Sequence, residues 1–361
     1  MKAANYSMRL AALRKRLAAE NLDAALISHG PHLRYLCGYS GSNGLLFVGQ
    51  KTAWFFTDFR YAEQAKKEVP RARIIVKERD IWKNLADIPD AAVPQIKIGF
   101  QASYVTYKQF GSLRHLLPKA LMVSMDNLVE PLTMVKDADE LAAIRKAVAI
   151  SDLGFVRILE HIRPGVREND IAAELEYIMK KAGSEMVAFE TIVASGARAA
   201  LPHGIASNKK IAKGDLVTMD FGATYRGYVS DITRTVVVGK PTARQKQMYA
   251  LVKRAQKAAV NSIKPGKKGV AVDKTARSII ERAGFGKQFG HGLGHGFGLY
   301  VHEGPALSTQ STDILRKGMV VTVEPGVYFP GWGGVRIEDD IVVTTHGAEV
   351  LNKAERGLIC L

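Results

Sequence analysis

The stretch KGDLVTMDFG at residues 213–222 returns in outline 104 residues later, as KGMVVTVEPG at residues 317–326. Both copies are runs of apolar and β-branched residues, which is typical of a buried strand. The first run closes on Asp220 and the second on Glu324, and a turn follows each carboxylate. The repeat therefore predicts two structurally related halves, each with an acid near the end of a strand.

A second carboxylate follows each copy in the next predicted strand, as Asp231 and Glu338. A histidine precedes each copy, His203 in Leu-Pro-His-Gly and His302 in Val-His-Glu-Gly. If a pseudo-two-fold axis relates the halves, the two pairs of carboxylates face each other. We therefore expect one acidic site that both halves build.

Four converging carboxylates repel one another, which disfavours their ionised forms. Two divalent cations would balance the four negative charges. Carboxylates together with one imidazole suit Mn²⁺, Co²⁺ or Zn²⁺, and two such ions can deprotonate a bridging water at neutral pH. The pattern predicts a dinuclear metal site, against the alternative that each acid, taken alone, is a solvated surface charge.

Strict alternation along a strand places Arg336 and Glu338 on one face. Arg336 is therefore a candidate to brace a ligand carboxylate. The alternative for this arginine is a surface ion pair. We interpret the two acids that follow, Asp339 and Asp340, as ordinary acids without a part in the chemistry.

The segment GHGLGHGFGLYVHE at residues 290–303 holds three of the nine histidines, His291, His295 and His302. Its glycines allow the backbone to approach a ligand closely. They alternate and lack a surrounding βαβ unit, so the segment is not a dinucleotide fingerprint. No HExxH, GxSxG or Walker A pattern occurs in the chain. We interpret the histidines as metal-binding or substrate-binding groups.

The composition, with 47% hydrophobic and 24% charged residues among 361, is that of a globular protein. The net charge of +16 suggests nucleic-acid binding. However, residues 1–136 carry +9 and residues 137–361 carry +7, so we expect that no tail or single basic block carries the excess, and no nucleic-acid partner is expected. Two cysteines, Cys37 and Cys360, favour a reducing, cytoplasmic compartment, and we expect no signal peptide and no membrane span.

An amphipathic helix is predicted at residues 5–22, and short β-type runs, the first at residues 24–27, alternate with helical stretches in the first third of the chain, which indicates an α/β unit. A long amphipathic helix is predicted at residues 136–162 and a second helix at residues 168–181, with further helices at residues 243–263 and 272–282 within a mostly β region. We therefore expect two domains, residues 1–130 and residues 131–361.

Taken together, the motifs of the last two thirds resemble the Xaa-Pro peptidases, prolidase and aminopeptidase P, of the M24 metallopeptidases. The resemblance spans roughly residues 138–355, and residues 34–44 and 57–61 extend it to the N-terminal domain. It implies an α/β N-terminal cap and dimerisation domain plus an α+β pita-bread catalytic domain with pseudo-two-fold symmetry. The motifs are TIVASG (191–196), LPHG (201–204), MDFG (219–222), SDITRT (230–235), HGLGH (291–295), VHE (301–303), VEPG (323–326) and GVRIED (334–339).

The resemblance also implies residue roles. Metal ligands are implied at five positions: Asp220, Asp231, His295, Glu324 and Glu338. Substrate contacts are implied at four: His203, His291, His302 and Arg336. Catalytic roles are implied at three: Glu324 as proton acceptor, and His203 and His302 as stabilisers of the tetrahedral intermediate. The implied cofactor is two divalent ions per subunit, Mn²⁺ first, with Co²⁺ or Zn²⁺ as alternatives, and the implied assembly is a homodimer.

The resemblance leaves two peptidase activities open. A dipeptidase acts on Xaa-Pro dipeptides, whereas an aminopeptidase P removes the first residue from longer Xaa-Pro peptides. Dipeptidases of this group often have Pro-Arg after Val-His-Glu, but this chain has Pro305-Ala306. We favour the dipeptidase by a small margin. An inactive scaffold that binds peptide or nucleic acid is disfavoured because the ligand set is intact, and a metal-free creatinase-like hydrolase would need ligand replacements that are absent here.

Overall fold

A computed structural model describes residues 3–77 and 79–361. The chain divides into two compact units, Met1–Thr133 and Met134–Leu361. Within the described ranges, every helix is too short or too polar to cross a membrane.

The first unit is built on a six-stranded mixed sheet in the order β4-β3-β2-β1-β5-β6. Strands β1 to β3 form an antiparallel meander, and β4, β5 and β6 add parallel strands through crossover helices. The meander is fully buried at Leu26, Phe47 and Phe55. The strands are β1 (Ala24–Ile27), β2 (Leu45–Gly49), β3 (Ala53–Asp58), β4 (Arg73–Lys77), β5 (Lys97–Gln101) and β6 (Leu121–Met125). The helices are α1 (Ala3–Ala19), α2 (Gly30–Cys37), α3 (Ala62–Glu68), α4 (Tyr107–Leu116) and α5 (Glu130–Thr133).

The second unit repeats one arrangement twice. Each half begins with a pair of helices and continues into a sheet whose central strand carries the repeated motif. The helices are α6 (Ala138–Ile158), α7 (Glu168–Lys181), α8 (Ala243–Ser262) and α9 (Gly269–Arg282). The first half contains β7 (Ile192–Ser195), β8 (Leu216–Phe221), β9 (Thr224–Tyr225), β10 (Tyr228–Val229) and β11 (Ile232–Val237). The second contains β12 (Gly294–Gly296), β13 (Glu303–Leu307), β14 (Val320–Val323), β15 (Gly326–Phe329), β16 (Gly333–Arg336), β17 (Asp339–Val343) and β18 (Ala348–Val350).

The sheet orders show the repeat directly. Strand β8 lies between β7 and β11, and its counterpart β14 lies between β12 and β17. A short hairpin, β9–β10 or β15–β16, leaves each central strand before the chain returns to the sheet. Both helix pairs are joined by a Pro-Gly turn in which the glycine, Gly165 or Gly266, has a φ near +90°, a conformation that glycine adopts without strain.

Local sequence explains where the first helices of this unit begin. Asp137 caps α6 by accepting a hydrogen bond from the backbone of Glu140, whose side chain bonds back to Asp137, a reciprocal capping box. Helix α7 has Glu168 and Asp170 in its first turn and two lysines in its last, which complements the helix dipole.

The structure confirms the predicted fold class, an α/β unit followed by a duplicated α+β unit. Predicted and observed bounds coincide for β1, whereas the helix expected at residues 5–22 is α1, which ends at Ala19. The sequence pattern did not predict helices α2 and α4. Both are short, and a glycine precedes the apolar pattern of α2 and interrupts that of α4.

Candidate metal centre

The repeated strands bring the four acids of the second unit to one place. In the first half, Asp220 lies in β8 opposite Thr233 of β11, and Asp231 immediately precedes β11. In the second half, Glu324 immediately follows β14 and Glu338 immediately precedes β17. The backbone N–H of Glu338 donates to the carbonyl of Thr233 at 3.1 Å, which joins the halves beside the acids.

A histidine enters this acidic group from the glycine-rich segment. Ligand atoms of Asp231, His295 and Glu338 all lie within 4.8 Å of one another. The Nε2 atom of His295 is 3.3 Å from Glu324 Oε1 and 3.8 Å from Asp231 Oδ2. His295 Nδ1 donates to the carbonyl of Gly296 at 3.1 Å. That bond turns Nε2 toward the carboxylates, the orientation that a metal-binding imidazole needs.

The fourth acid, Asp220, is held by Arg336. One guanidinium nitrogen of Arg336 donates to Asp220 Oδ2 at 2.6 Å, and the arginine side chain is only 3% exposed. The other oxygen, Oδ1, is buried and accepts no hydrogen bond from any described residue. An unsatisfied buried carboxylate oxygen is costly, so Oδ1 fits a ligand that the described residues do not themselves supply.

Burial and mutual repulsion disturb the acids strongly. Burial, with the negative charges of Glu338 and Asp220, raises the pKa of Asp231 well above its usual range. Burial, with the charges of Glu324 and Asp220, does the same to the pKa of Glu338. Burial opposes ionisation of Glu324 too, but the hydrogen bond and positive charge of His295 outweigh it and lower the pKa of Glu324. The group holds more negative charge than the protein's own cations offset.

This donor set fits divalent cations. It offers four carboxylates and one imidazole, an orphaned carboxylate oxygen, and two acids, Asp231 and Glu338, whose pKa values are raised by burial and by the charges of neighbouring acids. The side chains that would hold the ions are the five predicted ligands, Asp220, Asp231, His295, Glu324 and Glu338. A dinuclear site of such ligands is an oxygen-rich environment that suits Mn²⁺, Co²⁺ or Zn²⁺.

Two side chains that the sequence analysis did not assign hold these ligands in place. Thr233 donates its hydroxyl to Glu338 Oε2 at 2.7 Å and accepts from Nε of Arg336 at 2.9 Å. Tyr328 accepts from Arg336 at 2.8 Å and bonds to Nε2 of His291 at 3.0 Å. Because His291 Nδ1 donates to the carbonyl of Gly292, its Nε2 is the acceptor, and burial lowers the pKa of His291 accordingly.

The alternation rule could have identified Thr233, which lies two residues after Asp231 on one extended segment. Tyr328 lies in β15, which belongs to a different sheet from β14, so alternation does not carry over from Glu324 to Tyr328. The sequence could not show which of these side chains forms hydrogen bonds at the metal centre, because that depends on how the two halves pack.

The centre opens into a cavity of about 520 Å³, a size typical of small-molecule sites. His203 and His302 lie on its wall, and the ring of His302 is 4.3 Å from that of His295, centre to centre. Burial and the charge of His295 lower the pKa of His302. The wall also includes residues that sequence reasoning did not single out: Phe189, Glu190, Ile192, Pro202, Ile205 and Val301.

The interpretation of Asp339 and Asp340 as ordinary acids is wrong about their environment. Both are fully buried. Asp339 pairs with Arg234 at 2.8 Å and with Arg356 at 2.5 Å, and Asp340 accepts from the backbone N–H of Asp231 at 3.0 Å. Strand β17 is covered on both faces, so alternation does not expose either acid. Asp339 is paired with arginines, and Asp340 orients the predicted ligand Asp231.

Two family models match the chain. The model described as metallopeptidase family M24 matches residues 142–345. The model described as the creatinase/prolidase N-terminal domain matches residues 9–135.

Individual proteins are similar over nearly the whole length. A protein from Pyrococcus horikoshii named Xaa-Pro dipeptidase is 41% identical over 94% of this chain and 95% of its own. The structure of an Xaa-Pro dipeptidase from Bacillus anthracis is 41% identical and superposes with a TM-score of 0.95 over 99% of this chain and 100% of its own. The structure of an X-Pro aminopeptidase from Thermotoga maritima is 38% identical, with a TM-score of 0.89 over 98% and 99%.

Proposed function

Since the chain belongs to metallopeptidase family M24, we propose that it is a dinuclear metal-dependent Xaa-Pro dipeptidase. The observation that carries the proposal is the convergence of Asp231, His295 and Glu338 within 4.8 Å, beside the unsatisfied Oδ1 of Asp220, at the base of a cavity that a dipeptide can fill. The names of the relatives support the choice of peptide bond.

The five predicted ligands would hold two divalent ions, with Mn²⁺ as our first candidate and Co²⁺ or Zn²⁺ as alternatives. Bound there, the ions would supply a deprotonated water at neutral pH and polarise the scissile carbonyl. The chain's own residues must then hold the peptide, move a proton and stabilise charge.

Glu324 is the proton acceptor in this proposal. Its carboxylate lies 3.3 Å from His295 and lines the cavity, and in its ionised form it can take a proton from the attacking water. The same residue can return that proton to the prolyl nitrogen as the bond breaks, which is ordinary general acid–base catalysis.

His203 and His302 would stabilise the oxygen of the tetrahedral intermediate. Both line the cavity, and a neutral imidazole still has one N–H to donate. Donors already aimed at the developing negative charge are usually the largest contribution to catalysis. His291 and Arg336 would shape the pocket, with Tyr328 bonded to both.

The substrate requires such an arrangement because a prolyl bond is unusual. Proline has a fixed φ and its nitrogen carries no hydrogen. A peptidase that recognises the scissile N–H therefore loses a contact, whereas this cavity can bind the peptide through its ends and its carbonyl.

Aminopeptidase P activity is the second candidate, and one observation favours it. A dipeptidase needs a cation for the free carboxylate of its substrate, but Pro305-Ala306 offers none. Arg336 is the one lysine or arginine among the described residues that line the cavity, and its guanidinium is occupied by Asp220 and Tyr328.

Steady-state hydrolysis of an Xaa-Pro dipeptide and of an Xaa-Pro-Xaa tripeptide, each with Mn²⁺, tests the choice. The dipeptidase predicts a higher kcat/KM for the dipeptide, and efficient turnover of the tripeptide would refute it in favour of the aminopeptidase. Absence of bound metal after purification with Mn²⁺, together with no hydrolysis of either peptide, would refute the proposal that the protein is a metallopeptidase.

Two further proposals concern the surroundings of the enzyme. A cytoplasmic location is supported by the two cysteines, Cys37 and Cys360, both of which are free thiols. Homodimerisation through the N-terminal domain of residues 1–130 stays a prediction from the resemblance, with residues 131–361 as the catalytic domain.

A further inference from the structure

The positive charge of the second unit is concentrated on one pair of helices, contrary to the expectation that no single basic block carries it. From N-cap to C-cap, α8 and α9 span residues 242–283, which contain eleven Lys and Arg against two acidic residues, a net charge of +9. Counting the charge by halves of the chain hides this, because other segments of the second unit are acidic.

The duplicated fold provides an internal comparison. The equivalent pair in the first half, α6 and α7, spans residues 137–182 and contains seven basic and nine acidic residues, a net charge of −2. Both pairs pack an apolar face onto the core of their own half. The shared architecture therefore does not require the positive charge of α8 and α9.

The charge of α8 also opposes what would stabilise a helix. Its first turn contains Arg244 and Lys246 and no acid, and its last turn contains no base, the reverse of the order that complements the helix dipole. Lys253 and Lys257 are like charges four residues apart, which repel. Helices α6 and α7 have acids first and bases last. Helix stability does not account for the basic residues of α8.

Most of these cations are exposed, and ion pairing within the described chain does not explain them, although Arg244 also lies over the rings of Trp332 and Phe329. Of the eleven, nine are exposed, and in the described chain only Arg277 forms an ion pair, with the buried Asp273. Glu281 is the single exposed acid of the two helices. We call the surface formed by the exposed cations the α8–α9 basic face: Arg244, Lys246, Lys253, Arg254, Lys257, Lys264, Lys268, Lys274 and Arg282.

The arrangement of the basic face suits a linear polyanion. Lys246, Lys253 and Lys257 are spaced at i, i+7 and i+11, so they follow one line along the helix for about 16 Å. Duplex DNA presents a negative charge about every 1.7 Å of its axis, so several phosphates lie within reach of this line.

An anionic membrane fits the face less well. A helix that lies on a membrane inserts large apolar side chains between the lipids. The exposed large hydrophobic residues of the described chain all lie outside residues 242–283, and the apolar side of α8 is buried in the core. We propose that the α8–α9 basic face binds the phosphate backbone of a nucleic acid without reading its bases.

Binding of a fluorescein-labelled mixed-sequence 20-base-pair DNA duplex to the full-length protein tests this proposal, with anisotropy measured at several KCl concentrations. Four phosphate contacts predict a slope of log K against log salt of about −3.6, or about a 150-fold loss of affinity between 50 and 200 mM. No binding at 50 mM KCl would overturn the proposal.

Two triple variants with the same change in net charge separate the face from the overall charge. The first is Lys253→Glu, Arg254→Glu and Lys257→Glu in α8. The second is Lys146→Glu, Arg157→Glu and Lys181→Glu on exposed positions of α6 and α7. We expect the α8 variant to lose at least tenfold in affinity at 50 mM KCl and to show a shallower salt slope, and the second variant to stay within about twofold. Equal losses in both would overturn the proposal.

Circular dichroism tests whether each variant is folded. If the α8 glutamate variant is not folded, the neutral variant Lys253→Gln, Arg254→Gln and Lys257→Gln replaces it and should show an intermediate loss of affinity.

Competitor ligands test which class of polyanion the basic face binds. Displacement of the duplex by poly-glutamate at equal charge concentration, or tighter binding to phosphatidylserine vesicles than to the duplex, would overturn the choice of a nucleic acid.

Discussion

Replacement of Thr233 by valine should weaken metal binding although Thr233 is not a ligand. The Thr233 hydroxyl donates to Glu338 Oε2 at 2.7 Å and accepts from Arg336 Nε at 2.9 Å. The residue is fully buried, and valine has nearly the same shape. The substitution removes one hydrogen bond to a predicted ligand and leaves Nε of Arg336, which also holds Asp220, without its acceptor.

The size of the effect follows from the charge of the acceptor. A hydrogen bond to a charged group contributes about 1.5 to 3 kcal/mol, and each 1.4 kcal/mol is tenfold in a binding constant. If the bond acts mainly to position Glu338, Thr233→Val should weaken Mn²⁺ binding by about 10-fold to 150-fold. This agrees with the 10-fold to 100-fold effects usual for residues that orient metal ligands.

Competition with a fluorescent Mn²⁺ chelator measures the affinity directly. Thr235→Val is the matched control, because Thr235 is equally buried on the same strand but bonds only to the backbone of Arg336 and to the Thr218 hydroxyl. It should destabilise the fold to a similar degree and leave Mn²⁺ affinity within about threefold. Equal Mn²⁺ affinity in Thr233→Val and the wild type would refute the positioning of Glu338 by Thr233.

Three further predictions follow from the site and from the first unit. Glu324→Gln should lower kcat by about 10²- to 10⁴-fold at saturating metal; a fall only in metal affinity, with kcat restored by excess Mn²⁺, would contradict its role as proton acceptor. Mn²⁺ at a hundred times its Kd should stabilise the wild type by about 2.7 kcal/mol, and Asp231→Asn should abolish this gain without destabilising the metal-free protein, since burial and neighbouring acids already raise the pKa of Asp231 well above its usual range. Burial lowers the pKa of His32 to about 4, so below pH 6.5 the unfolded chain binds a proton at this residue that the folded chain does not, and His32 alone should cost the first unit about 2 kcal/mol between pH 7 and pH 5; burial also lowers the pKa of the half-buried His29 to about 4, which adds to the loss. Urea unfolding of a Trp332→Phe protein, whose remaining tryptophans lie in the first unit, should show this loss reduced by His32→Gln and not by the exposed control His115→Gln; equal pH slopes would refute it.

The sequence predicted the bounds of a helix or strand correctly wherever one local rule determined both of its ends. The strand β1 and the helix α7 have the bounds that their patterns predict, because an apolar run specifies the first, and a pair of acids followed by lysines specifies both ends of the second. The repeat also predicted that β8 and β14 are buried strands, because a run of apolar and β-branched residues suits a strand that is covered on both faces.

The centre was only partly accessible from sequence. The spacing of Asp220, Asp231, Glu324 and Glu338 predicted that the acids face one another, but it could not show that Arg336 would pair with Asp220 rather than with an acid at the surface. That choice depends on contacts between residues more than a hundred positions apart, such as the bond from Arg336 to Asp220. The same holds for Asp339, whose burial depends on its ion pair with Arg234, 105 residues away.

The two halves of the repeat have diverged in charge mainly on their outer helices. Their inner strands must both present acids to one centre, so a substitution there would remove a predicted ligand or its support, as Asp340 supports Asp231. The outer faces of α6–α7 and α8–α9 have no such constraint, because only their buried sides contact the core. Random drift on a free surface would mix both signs of charge, as on α6 and α7. A face with nine exposed cations and one exposed acid, against the preference of the helix dipole, is better explained by a ligand outside the fold. The metal centre and the basic face are therefore subject to separate constraints. Substitutions should abolish the function of either one without affecting the other.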